Sequence, residues 1–389
     1  MPSSFHLVIS LGMLLCAGCS QAQSGTDIAS SASAKTPAAS TTASTAAMRH
    51  ADIHRYLQAL ADRDEFRGAV LVAQGNRIVH RAAYGMADQE AGIANTPDTT
   101  FLIGSLTKSF TAATVMQLVE DGKLDLQAPI SRYLPGLDRR LGDRLNLHLL
   151  LRQRSGLPTH LERIAPQGDE RASSADILAL INRADLRFQP DARHQYSNLN
   201  YHLAALVIEA ATGQPFAEVL NERTFTPLGM ARSGLQGGGE RPRHRAKGYS
   251  HGLMGWKNDE NNMSYTLGSG DIHASVDDLL RWSRALDDPA YLSHASRDAM
   301  FDGGSEADGW YGYGFRIQPY LRPDGSRGRL VRHGGSMDGF LSNLHRYLDD
   351  DLTVIVLGNQ RPLEVRDITR RIKELALRMP AATSDDAAE

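Results

Sequence analysis

Cysteine is almost absent from this chain, and that absence limits the chemistry open to it. The 389 residues include only two cysteines, Cys16 and Cys19, and both lie close to the start of the chain. The rest of the chain therefore has no thiol nucleophile, no internal disulfide and no cysteine-based metal site. A covalent mechanism would need another nucleophile.

An excess of charge of one sign is also missing. The formal net charge is −3, and 22% of the residues are charged, so the sequence predicts no basic surface for a nucleic acid. The 14 histidines include no His-Glu-x-x-His pattern of the kind that binds zinc. We therefore expect no nucleic-acid partner, no metal and no cofactor.

The first segment contains a short apolar run, residues 7–15, which is too short to span a bilayer and is typical of a signal peptide. It ends at Cys16-Ala17-Gly18-Cys19, which resembles a bacterial lipobox, where the final cysteine is lipidated. We predict a signal peptide over residues 1–19 and a lipid on Cys19. The protein would then be exported, face the periplasm and be anchored in the outer membrane. The alternative is cleavage nearby and a secreted product.

Composition divides the remaining chain into three parts. Residues 20–47 are dominated by Ser, Ala and Thr, which cannot bury enough apolar surface to fold, so we predict a flexible linker. Residues 48–379 are predicted to form the folded domain, and residues 380–389 a disordered tail.

The order of helix and strand patterns predicts the fold class. Residues 102–286 are mainly helical in pattern, whereas strand signals cluster on either side of them. Because the strands do not alternate with helices, we predict an α+β fold. Its antiparallel sheet is formed by the N- and C-terminal segments, is flanked by helices, and meets a mainly helical second lobe at a cleft. The predicted strands are residues 68–73, 77–84, 313–317, 329–333, 340–347 and 352–357.

The tetrapeptide Ser105-Leu106-Thr107-Lys108 places a hydroxyl and an amine three residues apart. On a helix such residues are neighbours, so Lys108 can take the proton of Ser105 and make it nucleophilic. The alternative is structural, with Ser105 as a helix N-cap. A cation in the first turn is disfavoured by the helix dipole, and such a conflict is expected at a functional site. The helix predicted over residues 106–121 is apolar on most sides, so we expect Lys108 to be buried and its pKa lowered.

Two later motifs are candidates for the same site. Tyr196-Ser197-Asn198 lies in a loop-like stretch, and its alternative interpretation is a turn anchored by the tyrosine. His333-Gly334-Gly335 ends a strand-like run, and its alternative interpretation is a strand end with glycines at a bend. Neither string decides between these alternatives by itself.

Together with their surroundings, the three motifs resemble the active-site signature of the serine β-lactamase and penicillin-binding protein superfamily, in particular its class C β-lactamase-like branch. That branch includes β-lactamases, D-alanyl-D-alanine peptidases, D-amino-acid amidases and carboxylesterases. The resemblance covers about residues 66 to 360 and implies a β-lactamase/transpeptidase-like fold. The further matching blocks are Gln117-Leu118 with Gly122-Lys123-Leu124-Asp125-Leu126, Tyr133-Leu134-Pro135, Ser155-Gly156-Leu157-Pro158, Pro227-Leu228-Gly229-Met230 and Tyr311-Gly312-Tyr313-Gly314.

The resemblance implies catalytic roles for three residues of the first two motifs. Ser105 is the nucleophile that becomes acylated, and Lys108 and Tyr196 move its proton. Asn198 holds Lys108 and binds the acyl amide of the substrate. We further expect the Lys108 ammonium to bias the Tyr196 phenol toward phenolate, since a nearby cation stabilises an anion.

The third motif implies substrate-binding roles for His333, Gly334, Gly335 and Ser336. The backbone N–H groups of Ser105 and Ser336 would form the oxyanion hole. Many β-lactamases have a lysine at the position of His333, and that lysine helps to bind the substrate carboxylate. A histidine with an ordinary pKa of about 6.5 is mostly neutral at pH 7. The sequence therefore predicts a site without this fixed positive charge and a weaker case for β-lactam hydrolysis.

The sequence thus predicts a serine hydrolase that cleaves an amide or ester bond through an acyl-enzyme on Ser105. Its partner would be a small molecule or a peptide, and we favour a D-alanyl-D-alanine-type peptide or a small carboxylic ester. A class C-like β-lactamase is the runner-up. An alternative of a different class is a non-catalytic penicillin-binding receptor of the cell envelope, which is acylated without turnover.

Overall fold

The computed structural model describes residues 38–159, 172–236, 242–253 and 255–378. The predicted signal peptide, the predicted lipidation site at Cys19 and the predicted tail lie outside these ranges. From Ala43 onward the described residues belong to one compact unit, which contains all three motifs.

Strands occur in three groups, one near each end of the domain and one between them. The described strands are β1 (Gly68–Gln74), β2 (Arg77–Tyr84), β3 (Met86–Asp88), β4 (Ile93–Ala94), β5 (Phe101–Leu102), β6 (Gly234–Leu235), β7 (Gly248–Gly252), β8 (Gly255–Asp259), β9 (Ile272–Ala274), β10 (Arg316–Leu321), β11 (Arg327–Met337), β12 (Phe340–Tyr347), β13 (Leu352–Gly358) and β14 (Gln360–Arg361).

Helices fill the middle of the chain and also begin and end the domain. The described helices are α1 (Ala38–Asp62), α2 (Thr107–Glu120), α3 (Arg139–Gly142), α4 (Leu147–Leu151), α5 (Ser174–Ile181), α6 (Asn198–Thr212), α7 (Phe216–Leu220), α8 (Val276–Ala285), α9 (His294–Met300) and α10 (Val365–Leu377).

The largest sheet has six strands in the order β10-β11-β12-β13-β1-β2, and every neighbouring pair is antiparallel. The two ends of the domain meet in this sheet, because β1 pairs with β13 from Gly68↔Gly358 to Gln74↔Leu352. This topology confirms the predicted α+β fold with a sheet built from both terminal segments.

Both faces of this sheet are covered, which explains the continuous apolar sequence of β1 and β13. Along β1, Val70 and Val72 join one core while Leu71 joins the other, as the two-residue period of a strand requires. The smaller core includes Ile53 of α1 and Ile372 of α10. The larger core on the opposite face contains α2, α6 and α8, so the helical lobe lies against that side.

The middle region is mainly helical, as predicted, but the sequence patterns missed the β7–β8 hairpin. This hairpin pairs with β14 in a separate three-stranded sheet. Three of its ten strand residues are glycine, and the sequence lacks a strand-like apolar alternation. Tertiary pairing with β14, which comes more than a hundred residues later in the chain, therefore determines it.

Three predicted boundaries differ from the structure. The strand predicted over residues 313–317 lies at Arg316–Leu321 as β10. The strand predicted over residues 329–333 extends through Met337 as β11, so the third motif lies inside a strand rather than at its end. The first helix begins at Ala38, so residues 38–47, which we assigned to the linker, are helical. Among the described residues no single helix is long and apolar enough to cross a membrane, although the bent pair Asn198–Thr212 and Phe216–Phe225 reaches that apolarity together.

Candidate active site

Ser105 lies in a tight turn between β5 and α2. The turn is the 3-10 segment Gly104–Leu106, and Gly104 adopts a left-handed φ of 51° that favours glycine. The α-helix begins at Thr107, with Leu106 as its N-cap and no capping hydrogen bond from a side chain. Ser105 is therefore not a helix cap, and the structural alternative for it is wrong.

Lys108 is fully buried in the first turn of α2, as the sequence predicted. Its Nζ lies 3.1 Å from Ser105 Oγ, 2.8 Å from Asn198 Oδ1 and 2.7 Å from the carbonyl oxygen of Ser269. The same nitrogen is 5.0 Å from the ring centroid of Tyr196. A buried amine needs such partners, because water cannot replace them.

These contacts orient the amine of Lys108 toward Ser105. The Asn198 amide oxygen and the Ser269 carbonyl oxygen are acceptors only, so they take two N–H groups of the amine. The third position faces Ser105 Oγ. At that position an ammonium donates to Oγ, whereas a neutral amine offers its lone pair to the Ser105 proton. The geometry suits a base that deprotonates Ser105.

Tyr196 contributes a neutral phenol from the loop before α6. The loop is held by the backbone N–H of Ser197, which donates to Gln153 Oε1 at 2.8 Å, and Asn198 begins the helix. Burial raises the pKa of Tyr196 well above its ordinary value, and this outweighs the opposite effect of its hydrogen bond with Ser105. The predicted bias toward phenolate is therefore wrong. Tyr196 keeps its proton in the resting protein and can donate it to a substrate.

His333, in the second half of β11, is buried and neutral. Its Nδ1 lies 2.6 Å from the carbonyl oxygen of Gly334, so Nδ1 carries the proton, and Nε2 accepts from the Tyr311 hydroxyl at 3.0 Å. Burial lowers the pKa of His333 to about 3, and nearby Lys108 acts in the same direction. This agrees with the predicted absence of a cation at this position.

Gly335 brings β11 against the turn that carries Ser105. A Cβ on Gly335 would lie 1.8 Å from the carbonyl oxygen of Ile103, and one on Gly104 would lie 2.8 Å from the backbone nitrogen of Ser336. Only glycine permits this approach of two backbones. As a result, Ser105 and Ser336 line the same cavity, as an oxyanion hole built from their backbone N–H groups requires.

The cavity beside Ser105 and Tyr196 has a volume of about 350 Å³ and is positively charged. Arg316, Arg332 and Arg366 line it, and no carboxylate does so among the described residues. Arg316 and Arg332 are directly opposite each other in the β10–β11 register, where like charges repel. Such an unfavourable pair is expected where the protein binds an anion. The expected lack of a fixed charge at position 333 agrees with the lowered pKa of His333, and the arginines supply positive charge elsewhere in the cavity.

Sequence reasoning missed three kinds of contributor to this site. The Ser269 carbonyl had no signal, because a backbone acceptor can come from any residue type. Tyr311 belongs to a block that matched the family, but no role was assigned to it. The arginines gave no motif, because only the pairing of β10 with β11 and the position of α10 bring them to one cavity.

The groups around Ser105 are an amine, a phenol, an amide and a neutral imidazole. All of them can exchange protons or hydrogen bonds with a substrate. Within the described ranges, no group of three or more His, Cys, Asp or Glu side chains is placed to hold a metal ion.

Comparisons with known proteins agree with this geometry. The family model described as Beta-lactamase matches residues 53–377, which include all three motifs. PbpX of Bacillus subtilis strain 168, named as a penicillin-binding protein, is 29% identical over 332 residues, which cover 84% of this chain and 78% of PbpX. Esterase EstB of Burkholderia gladioli is 29% identical over 347 residues, which cover 78% of this chain and 88% of the esterase.

A solved structure also matches the fold of this chain. The D-amino acid amidase from Ochrobactrum anthropi SV3 matches this chain with a TM-score of 0.73 and 25% sequence identity. The match covers 84% of this chain and 98% of the amidase. The whole amidase fold therefore has a counterpart here.

Four buried histidines should make the protein sensitive to acid. Burial lowers their pKa from 6.5 to about 3 for His80 and His333, and to about 4 for His202 and His273. Below about pH 6.5 the unfolded chain therefore binds more protons than the folded protein. The contribution of these histidines to the free energy of unfolding should be complete above about pH 6.5. It should fall as the pH drops toward 4, by up to about 1.4 kcal/mol per pH unit for each histidine.

Urea unfolding at pH 7.5 and pH 5.0 measures this effect. The variant His273→Gln should lose part of the pH dependence, whereas His251→Gln, at an exposed position, should keep all of it. An unfolding free energy that is equal at both pH values would contradict the prediction.

Proposed function

Because this chain belongs to the Beta-lactamase family, a family of serine hydrolases, we propose that it cleaves an amide or ester bond through an acyl-enzyme on Ser105. The observation that carries the proposal is the buried Lys108, whose third hydrogen-bonding position faces Ser105 Oγ at 3.1 Å. A serine with such a base has the activation that a nucleophile needs.

In the acylation step, Ser105 Oγ attacks the carbonyl carbon of the substrate while its proton moves to Lys108 Nζ. The carbonyl oxygen becomes an oxyanion, which accepts hydrogen bonds from the backbone N–H groups of Ser105 and Ser336. One donor of this kind is worth about 2.7–4 kcal/mol of transition-state stabilisation. The close contact of Gly335 with Ile103 keeps the two halves of this hole together.

The leaving group then needs a proton, and Tyr196 is placed to supply it. Its phenol is neutral because burial raises its pKa, and it is hydrogen-bonded with Ser105, next to the bond that breaks. The tyrosine recovers a proton from the Lys108 ammonium, so both groups return to their first state. Water then attacks the acyl carbon by the reverse route and releases Ser105.

The charge of the cavity favours a substrate with an anionic group near the scissile bond. Three arginines line the cavity without a carboxylate among the described residues, so their charge attracts a substrate carboxylate. A D-alanyl-D-alanine-type peptide has such a carboxylate and is the substrate we favour over a neutral ester. Penicillins also carry one, so a class C-like β-lactamase remains the second candidate.

The acyl-enzyme can be detected by intact-mass measurement. We expect a transient adduct on Ser105 with at least one of three probes: benzylpenicillin, a D-Ala-D-Ala peptide or a p-nitrophenyl ester. Turnover should fall by about 10³-fold or more in Ser105→Ala and in Lys108→Ala, because nucleophile and base act as a unit. The control Lys123→Ala, at an exposed position, should keep full activity.

Two results would change this assignment. Unchanged turnover in Ser105→Ala would refute the mechanism. A stable adduct without turnover would instead support the non-catalytic receptor.

The arginine-lined cavity makes a separate prediction about substrate choice. In Arg316→Gln, kcat/KM for a D-Ala-D-Ala peptide should fall by about 10- to 100-fold, the value of a charged hydrogen bond. The hydrolysis of a neutral p-nitrophenyl ester should change little. Arg327→Gln, at the exposed start of β11, is the matched control. Equal losses for both substrates would show that Arg316 does not recognise the anion.

We also propose, on the sequence alone, that the protein is exported to the periplasm and anchored in the outer membrane by a lipid on Cys19. Cys19 lies outside the described residues, and the support is the lipobox-like string that precedes it. Metabolic labelling with a fatty acid should mark the protein, and Cys19→Ser should lose the label and leave the membrane fraction. Cys16→Ser should keep it. A label that persists in Cys19→Ser would rule out this anchor.

A further inference from the structure

A buried turn at residues 266–271 supplies backbone acceptors to α2 and α6. Three consecutive carbonyl groups of this turn each accept a hydrogen bond from a buried side chain. One of these bonds orients Lys108, the candidate base, so the turn helps to position the site. The bonds run from His202 Nδ1 to Leu267 at 2.7 Å, from Thr111 Oγ1 to Gly268 at 2.6 Å and from Lys108 Nζ to Ser269 at 2.7 Å.

Asp271, the last residue of this turn, accepts a hydrogen bond from the backbone of the same turn. The residue is only 3% exposed, and its two carboxylate oxygens lie 3.2 and 3.3 Å from the backbone nitrogen of Gly268. Its own carbonyl oxygen accepts from the backbone N–H of Gln236 at 2.8 Å. The carboxylate is thus hydrogen-bonded to the residue that directly precedes Ser269, the acceptor of Lys108.

Few ionisable groups act on the Asp271 carboxyl. Lys108 on α2 favours its charged form, and Glu209 on α6 disfavours it. His202 on α6 and His273 on β9 have a pKa of about 4, so they are neutral near pH 7. Burial is the largest effect and raises the pKa of Asp271 to about 7. Both of its charge states are therefore populated near neutral pH.

We propose that Asp271 is a positioning residue for acylation, which fixes the Ser269 carbonyl on Lys108 and controls by its charge how readily Lys108 gives up a proton. This inference rests on the proposed role of Lys108 as the base for Ser105. Asp271 touches neither Ser105 nor the cavity that receives the substrate. Its effect on the reaction passes through the turn and through the electric field at Lys108.

The sign of the effect follows from the charge. An ionised Asp271 stabilises the Lys108 ammonium and so delays its deprotonation as the pH rises. Asparagine at position 271 removes the charge but keeps an oxygen that can accept from Gly268. Lys108 should then become neutral at a lower pH. Alanine removes both the charge and the acceptor.

The test is the pH profile of Ser105 acylation by p-nitrophenyl acetate in the full-length protein. In Asp271→Asn the ascending limb above pH 7, where the wild-type carboxylate is ionised, should move to lower pH by about 0.5–1 unit, so that the rate at pH 8 relative to the plateau rises about 3- to 10-fold. In Asp271→Ala the plateau itself should fall, because the Ser269 carbonyl is no longer held. Asp298→Asn, on the exposed side of α9, should keep the wild-type profile.

The outcomes separate this inference from the proposed function. If the wild-type protein forms no adduct on Ser105, the proposed function fails. If the adduct forms but Asp271→Asn has the wild-type pH profile, only the role of Asp271 fails. Asp271→Ser, which also keeps a neutral acceptor, takes the place of the asparagine variant if that variant does not fold.

Discussion

The burial of the Lys108 amine is the constraint on which the rest of the site depends. A buried amine must find hydrogen-bond acceptors inside the protein, and here they come from three separate parts of the chain: the turn at Ser105, the start of α6 at Asn198 and the loop at Ser269. The amine therefore holds together the sheet side and the helical side of the domain. Two of these partners are fixed acceptors, and Ser105 Oγ is a partner with which the amine can exchange a proton.

A second constraint is the close approach of two backbones. Four strands of the large sheet, β10 to β13, come from the C-terminal part of the chain. The turn with Ser105 comes from the N-terminal third of the chain. The contact of Gly335 with Ile103 joins them, and Ser336 lines the same cavity as Ser105. The proposed oxyanion hole therefore depends on the pairing of β11 with β12 and on the absence of a side chain at position 335.

The site combines neutral proton-exchanging groups with fixed positive charge. Burial keeps Tyr196 and His333 neutral, so that protons can move beside Ser105 without creating unpaired charge. Arg316 and Arg332 line the same cavity and provide fixed positive charge.

The sequence by itself identified the candidate site residues and the class of the fold. Ser105, Lys108, Tyr196 and His333 stand in short motifs, because a reaction requires particular side chains at particular spacings. The strands were found because a sheet buried on both faces needs apolar runs. The tertiary structure alone decided three things: the protonation state of Tyr196, the positive charge of the cavity and the support of Lys108 by the Ser269 carbonyl. Each depends on burial or on a contact between distant segments, and neither leaves a local pattern in the chain.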